Sequence, residues 1–376
     1  MNKVVVSYSQ DYKLEDIKNK ILKHIKILNV EEKIKSSKKI LLKPNLLAAH
    51  SPQEAVTTHP VFVQAVLKLL KELNSNSEII ITDSPSVLNF QEVIIKTEIK
   101  KVAQQENATI LNINNYPVVE VPFGKFGLEK LVVSRIVKDV DMIINLPKLK
   151  THSLTVFTCA VKNMYGIIPG LTKSLYHKYA VLPQDFLELL YAVWRQVKSH
   201  LVIIDGIKGM DKEGPAGGRI RNFNIIVSST SDKAADWFLV KHILKKEIIP
   251  FYKKEYFEEA EVLYLDSESK NLVKKIKVAL PQTITFFSFL PKFFVNILKN
   301  FIWFRPEIKE DLCKKCGKCY EICPQKTIKI EAKTYYIEYK NCISCFCCKE
   351  ACPYNAITIE KSFLLKFYSL IKKVFR

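Results

Sequence analysis

Nine of the chain's ten cysteines lie between Cys313 and Cys352, and the tenth is Cys159. The nine contain two runs of one pattern, Cys313-x2-Cys316-x2-Cys319-x3-Cys323-Pro324 and Cys342-x2-Cys345-x2-Cys348-x3-Cys352-Pro353. An offset of 29 residues also superposes TIKIE (327–331) on AITIE (356–360), so the segment after each run is duplicated along with the thiols. A short, thiol-dense region of this kind is built around metal or disulfides rather than around an apolar core.

The spacing selects metal. Three thiolates two residues apart on a tight loop reach three irons of one cubane, and in two-cluster modules the fourth comes from the other run. One 4Fe-4S cluster is therefore expected on Cys313, Cys316, Cys319 and Cys352, and a second on Cys342, Cys345, Cys348 and Cys323. A disulfide scaffold or a zinc site would not call for two complete runs with both prolines. Cys347 fits neither run and aligns with Lys318, so it reads as a small packed side chain. Cys159 reads as core, because free cysteine is among the most buried residue types.

The remaining length is ample for a full core, in a chain of 376 residues that is 48% hydrophobic. Before residue 280, VVVSY (4–8), KILLK (39–43), EIIITD (78–83), VDMIINL (140–146) and HLVIIDG (200–206) read as strands. Their nearly continuous apolarity suits a sheet covered on both faces. Helical periodicity at 60–73 and 183–197, each opening on proline, alternates with them. The expectation is an α/β domain, a mostly parallel sheet with helices on both faces, plus a small C-terminal α+β ferredoxin-like module. Four segments are distinguished: 1–280, a linker at 281–306, the cluster module at 307–360 and a tail at 361–376.

Ligands of such sheets bind beyond the carboxyl ends of the strands, and the polar clusters of this sequence fall there. KPNLL (43–47), DSPS (83–86), NLPKLKTHS (145–153) and Asp205-Gly206 each follow an expected strand. Seven of the ten glycines lie between Gly166 and Gly218, which marks KNMYGIIPGLTKS and DGIKGMDKEGPAGG as site loops. Neither has the spacing of a phosphate-binding Walker loop or a dinucleotide fingerprint.

Together KPN (43–45), Thr58-His59-Pro60, NLPKLKTH (145–152), AVKNMYG (160–166), DGIKGM (205–210) and GPAGG (214–218) resemble the family catalogued as domain of unknown function 362. The resemblance spans about residues 1 to 280, and some members carry a C-terminal ferredoxin module. It implies the architecture and no particular reaction. His177 stands where such members often have a histidine.

The chemistry is read from the residues. Lys148, Lys150, His152 and Lys162 form the expected catalytic set with His177, and Lys43, Asn45, Asp83, Asn163 and Asp205 are expected to bind substrate. Lysines and amides suit an anion, the carboxylates could pair with the lysines or hold a hard cation, and His152 or His177 could move a proton near neutral pH. The alternative is that the lysines are solvated and His152 caps a turn. In SDKAADWF, Ser231 or Asp232 reads as a helix cap, with Asp236 one turn later.

A formal charge of +20 favours acidic partners. Residues 283–304 hold seven phenylalanines and two lysines as their only charges, and residues 361–376 carry five basic residues and no acid. Two such segments bracketing a redox module fit a peripheral position on an anionic membrane face, and equally fit packing on the α/β domain. Aromatic residues do not alternate with Lys and Arg, which argues against nucleic acid. The N-terminus shows no signal-peptide run, so the expected location is cytoplasmic. An oxidoreductase acting on a small anionic substrate, with a redox donor or acceptor protein as partner, and a non-enzymatic carrier or docking protein are the two functional classes left.

Overall fold

The computed structural model describes residues 1–86, 89–247, 249, 251–281, 303–331 and 334–366. The strands of the large domain are β1 (Asn2–Tyr8), β2 (Lys39–Pro44), β3 (Glu78–Ile81), β4 (Thr109–Ile110), β5 (Val118–Lys125), β6 (Leu128–Ser134), β7 (Met142–Leu146), β8 (Lys148–His152), β9 (Val156–Thr158), β10 (Leu201–Asp211), β11 (Arg219–Ser229) and β12 (Ala260–Tyr264). Ten of them make one sheet in the order β12-β1-β11-β10-β7-β2-β3-β4, with β8 beside β10 and β9 beside β8. From β10 through β7, β2 and β3 to β4 the pairing is parallel, as are β1 with β12 and β10 with β8. β11 runs antiparallel between β1 and β10, and β9 antiparallel to β8.

Apolarity on both sides of each strand has its counterpart in packing. Along β2, Ile40 and Leu42 enter one core with the helices Leu14–Ile27 and Pro60–Leu73, while Leu41 enters another with the helix Pro183–Gln196. The period of two sends neighbouring residues to opposite faces, and helices cover both. The two helices expected from periodicity open on Pro60 and Pro183, with His59 accepting a hydrogen bond from Val61 N.

NLPKLKTHS is not a loop. Pro147 ends β7, and the chain resumes at once as β8, paired with β10 and β9. All five residues of β8 are buried, and its period of two puts Lys148, Lys150 and His152 on one side.

The C-terminal module has strands β13 (Phe304–Ile308), β14 (Ile328–Glu331), β15 (Thr334–Ile337) and β16 (Ile357–Lys361), with β13 antiparallel to β16 and β14 to β15. The 29-residue repeat of the sequence is a repeat of structure. The helix Lys318–Ile322 maps onto Cys347–Ala351. Left-handed backbone at Lys315, Gly317 and Lys326 maps onto the same conformation at Ser344, Phe346 and Asn355. Thr327 N donates to Cys323 Sγ and Ala356 N to Cys352 Sγ, both at 3.3 Å.

The module is docked on the α/β domain. Ile322, Cys347 and Ala351 share a core with Leu46 and Ala48. Lys349 Nζ donates to Glu213 O at 3.0 Å and Ala216 O at 2.5 Å, and Lys318 Nζ is 2.6 Å from Glu92 Oε1. A Cβ on Gly217 would lie 3.2 Å from Asn355 Oδ1, so the GPAGG turn is shaped to receive the module. Among the described residues no helix is long and apolar enough to cross a membrane. Most of the 283–304 segment and the end of the basic tail lie outside the described residues.

Candidate functional site

Between the strand ends and the docked module lies a cavity. The α/β domain contributes Asn45, Asp83, Ser84, Lys150, Lys162, Asn163, Lys173 and His177 to its wall. Ile322, Cys347 and Glu350 of the module close the other side. Six of the residues expected at the site thus meet in one place: Asn45, Asp83, Lys150, Lys162, Asn163 and His177.

Others are held elsewhere. Lys148 and Asp205 do not line the cavity, and their side chains are fully buried against each other at 2.8 Å. Tyr12 OH is also 2.8 Å from each, and His59 N donates to Asp205 Oδ2 at 3.0 Å, so every polar atom of this pair is committed. Lys43 lies behind the cavity wall, 2.7 Å from Asp83 Oδ1, while Leu46 N donates to Asp83 Oδ2 at 2.6 Å. Gly166 packs directly on this pair: a Cβ there would stand 2.0 Å from Asp83 Oδ1 and 2.8 Å from Lys43 Nζ. That close approach is what the glycine of AVKNMYG is for.

His152 combines the two readings of it. Its Nδ1 accepts from Leu154 N at 3.1 Å and Thr155 N at 3.3 Å, which caps the turn after β8. The ring proton is thereby placed on Nε2, 3.0 Å from Glu350 Oε1 of the module. The expectation that His152 or His177 titrates near neutral pH is corrected: burial pulls their pKa values down to about 4 and about 3. His177 is stacked on Phe186 with ring centroids 4.2 Å apart.

Two lysines take that place. Burial, reinforced by Lys162, brings Lys150 down to about 7. Burial brings Lys173 down to about 8, against the opposing pull of Asp83 and Glu350. Lys150 Nζ donates to Asn45 Oδ1 at 3.0 Å and Val56 O at 2.5 Å, and Lys173 Nζ to Ser84 O. Burial alone would raise the Glu350 carboxyl, but His152, Lys162 and His177 hold it well below the usual carboxylate range. Among the described residues Lys162 has no carboxylate within ion-pair distance, and the buried Ser84 Oγ has no hydrogen-bond partner.

The helix start in SDKAADWF is capped by Ser231, whose side chain accepts from Ala234 N at 3.2 Å. Asp236 instead accepts from Ala160 N and Val161 N, at 2.9 and 3.1 Å, and so caps the short helix that carries Lys162.

The cysteines line two further cavities. One has Cys313, Cys316, Cys319 and Cys352 in its wall, the other Cys323, Cys342, Cys345 and Cys348. Burial and the neighbouring sulfurs of Cys352, Cys316 and Cys313 push the Cys319 thiol up to about 12. Four thiolates so crowded need bound cationic charge to coexist. No three His, Cys, Asp or Glu side chains among the described residues converge on a single metal ion. Sulfurs arranged around a space fit a multi-iron cluster, in which each thiolate meets a different iron. Cys159 and Cys347 are buried outside both sets, with Cys347 in the wall of the lysine-lined cavity.

Residues 40–241, more than half of the chain, match the family described as Domain of unknown function (DUF362). The chain belongs to that family. Residues 312–356 match the 4Fe-4S dicluster domain, so this DUF362 member is an iron-sulfur protein. A thylakoid-associated protein of Synechocystis is 30% identical over 218 residues, 56% of this chain and 64% of the relative. The match thus spans less than two thirds of that relative. Lactate racemase apoprotein from Thermoanaerobacterium thermosaccharolyticum superposes with a TM-score of 0.41 at 12% identity, over 62% of this chain and 55% of the racemase.

Lys173, Ser84 and Glu350 were not expected at the site. Lys173 and Ser84 sit in stretches the sequence marks, KNMYGIIPGLTKS and DSPS, but a lysine or serine in a polar turn looks like a solvated one. Glu350 belongs to the module, and only the docking of the two modules brings it to the cavity.

Proposed function

We propose that this chain is an iron-sulfur oxidoreductase that exchanges electrons with a small anionic substrate in the cavity between its modules. The supporting observation is that one cavity wall carries Lys150, Lys162 and Lys173 while the opposite wall is Ile322, Cys347 and Glu350, which lie one or two residues from Cys323, Cys348 and Cys352. In this reading Cys313, Cys316, Cys319 and Cys352 hold one 4Fe-4S cluster and Cys323, Cys342, Cys345 and Cys348 a second. Bound clusters supply one-electron transfer at the cavity wall.

The chain's own residues do the rest. Lys162 Nζ, with no carboxylate in ion-pair reach among the described residues, and Ser84 Oγ, with no hydrogen-bond partner there, bind and orient the anion. A two-electron reduction of the substrate takes up two protons, and Lys150 and Lys173 are the cavity groups able to release them near neutral pH. Glu350, ionised and 3.0 Å from His152 Nε2, is not a donor and repels a second anion from the cluster side.

Sulfate, a dianion throughout the neutral range, tests the binding half. It will bind saturably to cluster-replete protein, and Lys162→Ala will weaken it about tenfold or more, the scale of one charge-assisted hydrogen bond. Because Lys150 and Lys173 are cationic only below their lowered pKa values, affinity will be highest in mild acid and fall as pH rises through about 7 to about 8. A calorimetric titration across pH reads both effects, and unchanged affinity in Lys162→Ala removes the site. For the redox half, reduced protein is offered a panel of small carboxylates and phosphate esters. Reoxidation by at least one, followed by cluster absorbance and lost in Lys162→Ala, is the expected result, and reoxidation by none counts against an enzyme.

A peripheral position on an anionic membrane face is a second proposal. It is favoured by the thylakoid association named for the Synechocystis relative and by the five basic residues of 361–376. Deleting residues 362–376 is expected to release the protein from sedimenting membranes at low salt, and an unchanged distribution would refute the attachment.

A further inference from the structure

A line of side-chain amides runs from the cavity into the core, and every link points the same way. Lys150 Nζ donates to Asn45 Oδ1 at 3.0 Å, and Asn45 Nδ2 to Asn163 Oδ1 at 3.1 Å. Asn163 Nδ2 donates to Asn145 Oδ1 at 2.8 Å, and Asn145 Nδ2 to Asp232 Oδ1 at 2.9 Å. Amide orientation is commonly a matter of choice, but here the flanking groups dictate it. Asn145 Nδ2 also faces Ala160 O, and Asn163 Nδ2 also faces Lys43 O, both of which only accept. At the cavity end Asn45 Oδ1 meets an ammonium or amine whose other hydrogen bond goes to Val56 O. No amide in the line can turn over without setting donor against donor or acceptor against acceptor.

At the far end Asp232 is buried among donors. Trp194 Nε1 reaches its Oδ2 at 2.9 Å, Ser199 N reaches the same oxygen at 3.2 Å, and Ser199 Oγ lies 2.7 Å from Oδ1. Hydrogen bonds in series polarise one another, so negative charge at one end strengthens the acceptor at the other.

We propose that Asp232, though outside the cavity, is a positioning residue for Lys150, fixing its acceptor and favouring its ammonium form through Asn145, Asn163 and Asn45. Two consequences follow. Lys150 stays cationic enough to serve an anion despite full burial, and its ammonium is aimed from one fixed acceptor. The proposal rests on the reading of the cavity as an anion site. The other charges acting on Lys150 are Lys162, Glu350, Lys148 and Asp83, none of which the test alters.

The test follows the Lys150 titration midpoint by carbon-13 NMR of lysine-labelled, oxidised full-length protein, the signal being assigned by its absence in Lys150→Met. Asp232→Asn will lower that midpoint by about one unit, a tenfold smaller ammonium fraction above it. Asp232→Glu, which keeps the charge, will leave the midpoint near the wild-type value even where thermal stability falls. Asn145→Ala interrupts the line while Asp232 keeps Trp194 and Ser199, and it will lower the midpoint too, so the idea stays testable where Asp232→Asn fails to fold. A midpoint unchanged in Asn145→Ala and in any folded Asp232→Asn protein would mean the line is only structural. Sulfate titration of the same variants separates the two claims: a wild type that ignores sulfate sinks the anion site, whereas a midpoint that ignores Asp232 sinks the relay.

Discussion

Chelating the iron from anaerobically purified protein will unfold the cluster module and leave the ten-stranded sheet standing. The module's own core is small, a cluster of Ile328, Ile337, Ala356 and Ile357 with Cys348 and Cys352, while Ile322, Cys347 and Ala351 pack into the core of the α/β domain. Its sheets are two-stranded ladders, which are marginal alone, and its helices Lys318–Ile322 and Cys347–Ala351 are of one turn or little more. Metal binding in such a unit is folding free energy, because the thiolates repel one another until the metal arrives. Hydrogen exchange before and after chelation reads the outcome. Amides of the two short helices should lose protection while those of β2 and β7 keep theirs, and sulfate binding should vanish with the cavity wall. Protection of the helices surviving iron removal would show that docking, not metal, holds the module.

Lys148→Met will cost about 3–5 kcal/mol of unfolding free energy, the scale for leaving a buried charge without its partner. Asp205 would remain fully buried with Tyr12 OH and His59 N but no cation. Adding Asp205→Asn to Lys148→Met should recover much of the loss, so the double variant will be more stable than the sum of the singles predicts. Lys162→Ala gives the opposite pattern, with an unfolding midpoint near wild type and sulfate affinity lost. Denaturant melts of wild type, Lys148→Met, Asp205→Asn, the double variant and Lys162→Ala separate the roles of two lysines that the sequence treats alike. A Lys148→Met protein of wild-type stability would place that lysine among the binding residues after all.

Most of the large fold could be read from the sequence because buried parallel strands leave continuous apolar runs, as in KILLK and MIINL. β8 could not, since Lys148, Lys150 and His152 alternate as a solvated strand edge or a loop would, yet all are buried. Their burial depends on Asp205, Asn45 and Glu350, which lie far away in sequence. The β5–β6 hairpin escapes for a similar reason: both strands are partly exposed, with Pro122 and Gly124 interrupting the first and Glu129 and Lys130 the second, so no long apolar run announces them. The site divided along the same line. Strand-end position points to Asn45, Asp83 and Lys150, and the glycine-marked loop to Lys162 and Asn163, because both signals depend on the local chain. Pairing decided against Lys148 and Asp205 as cavity residues, and pairing is not written in spacing.

The anchoring of Lys349 on the carbonyls of Glu213 and Ala216 has a bearing on how fast electrons can move. A carrier on a loose tether must find its acceptor anew in each turnover, and linker length then sets the encounter rate. In the proposed reaction the step between module and cavity has a fixed span, so its speed would depend on driving force and reorganisation, and lengthening the 281–306 connection should leave it unchanged. The iron-sulfur module is in that sense a wall of the cavity and not a swinging arm.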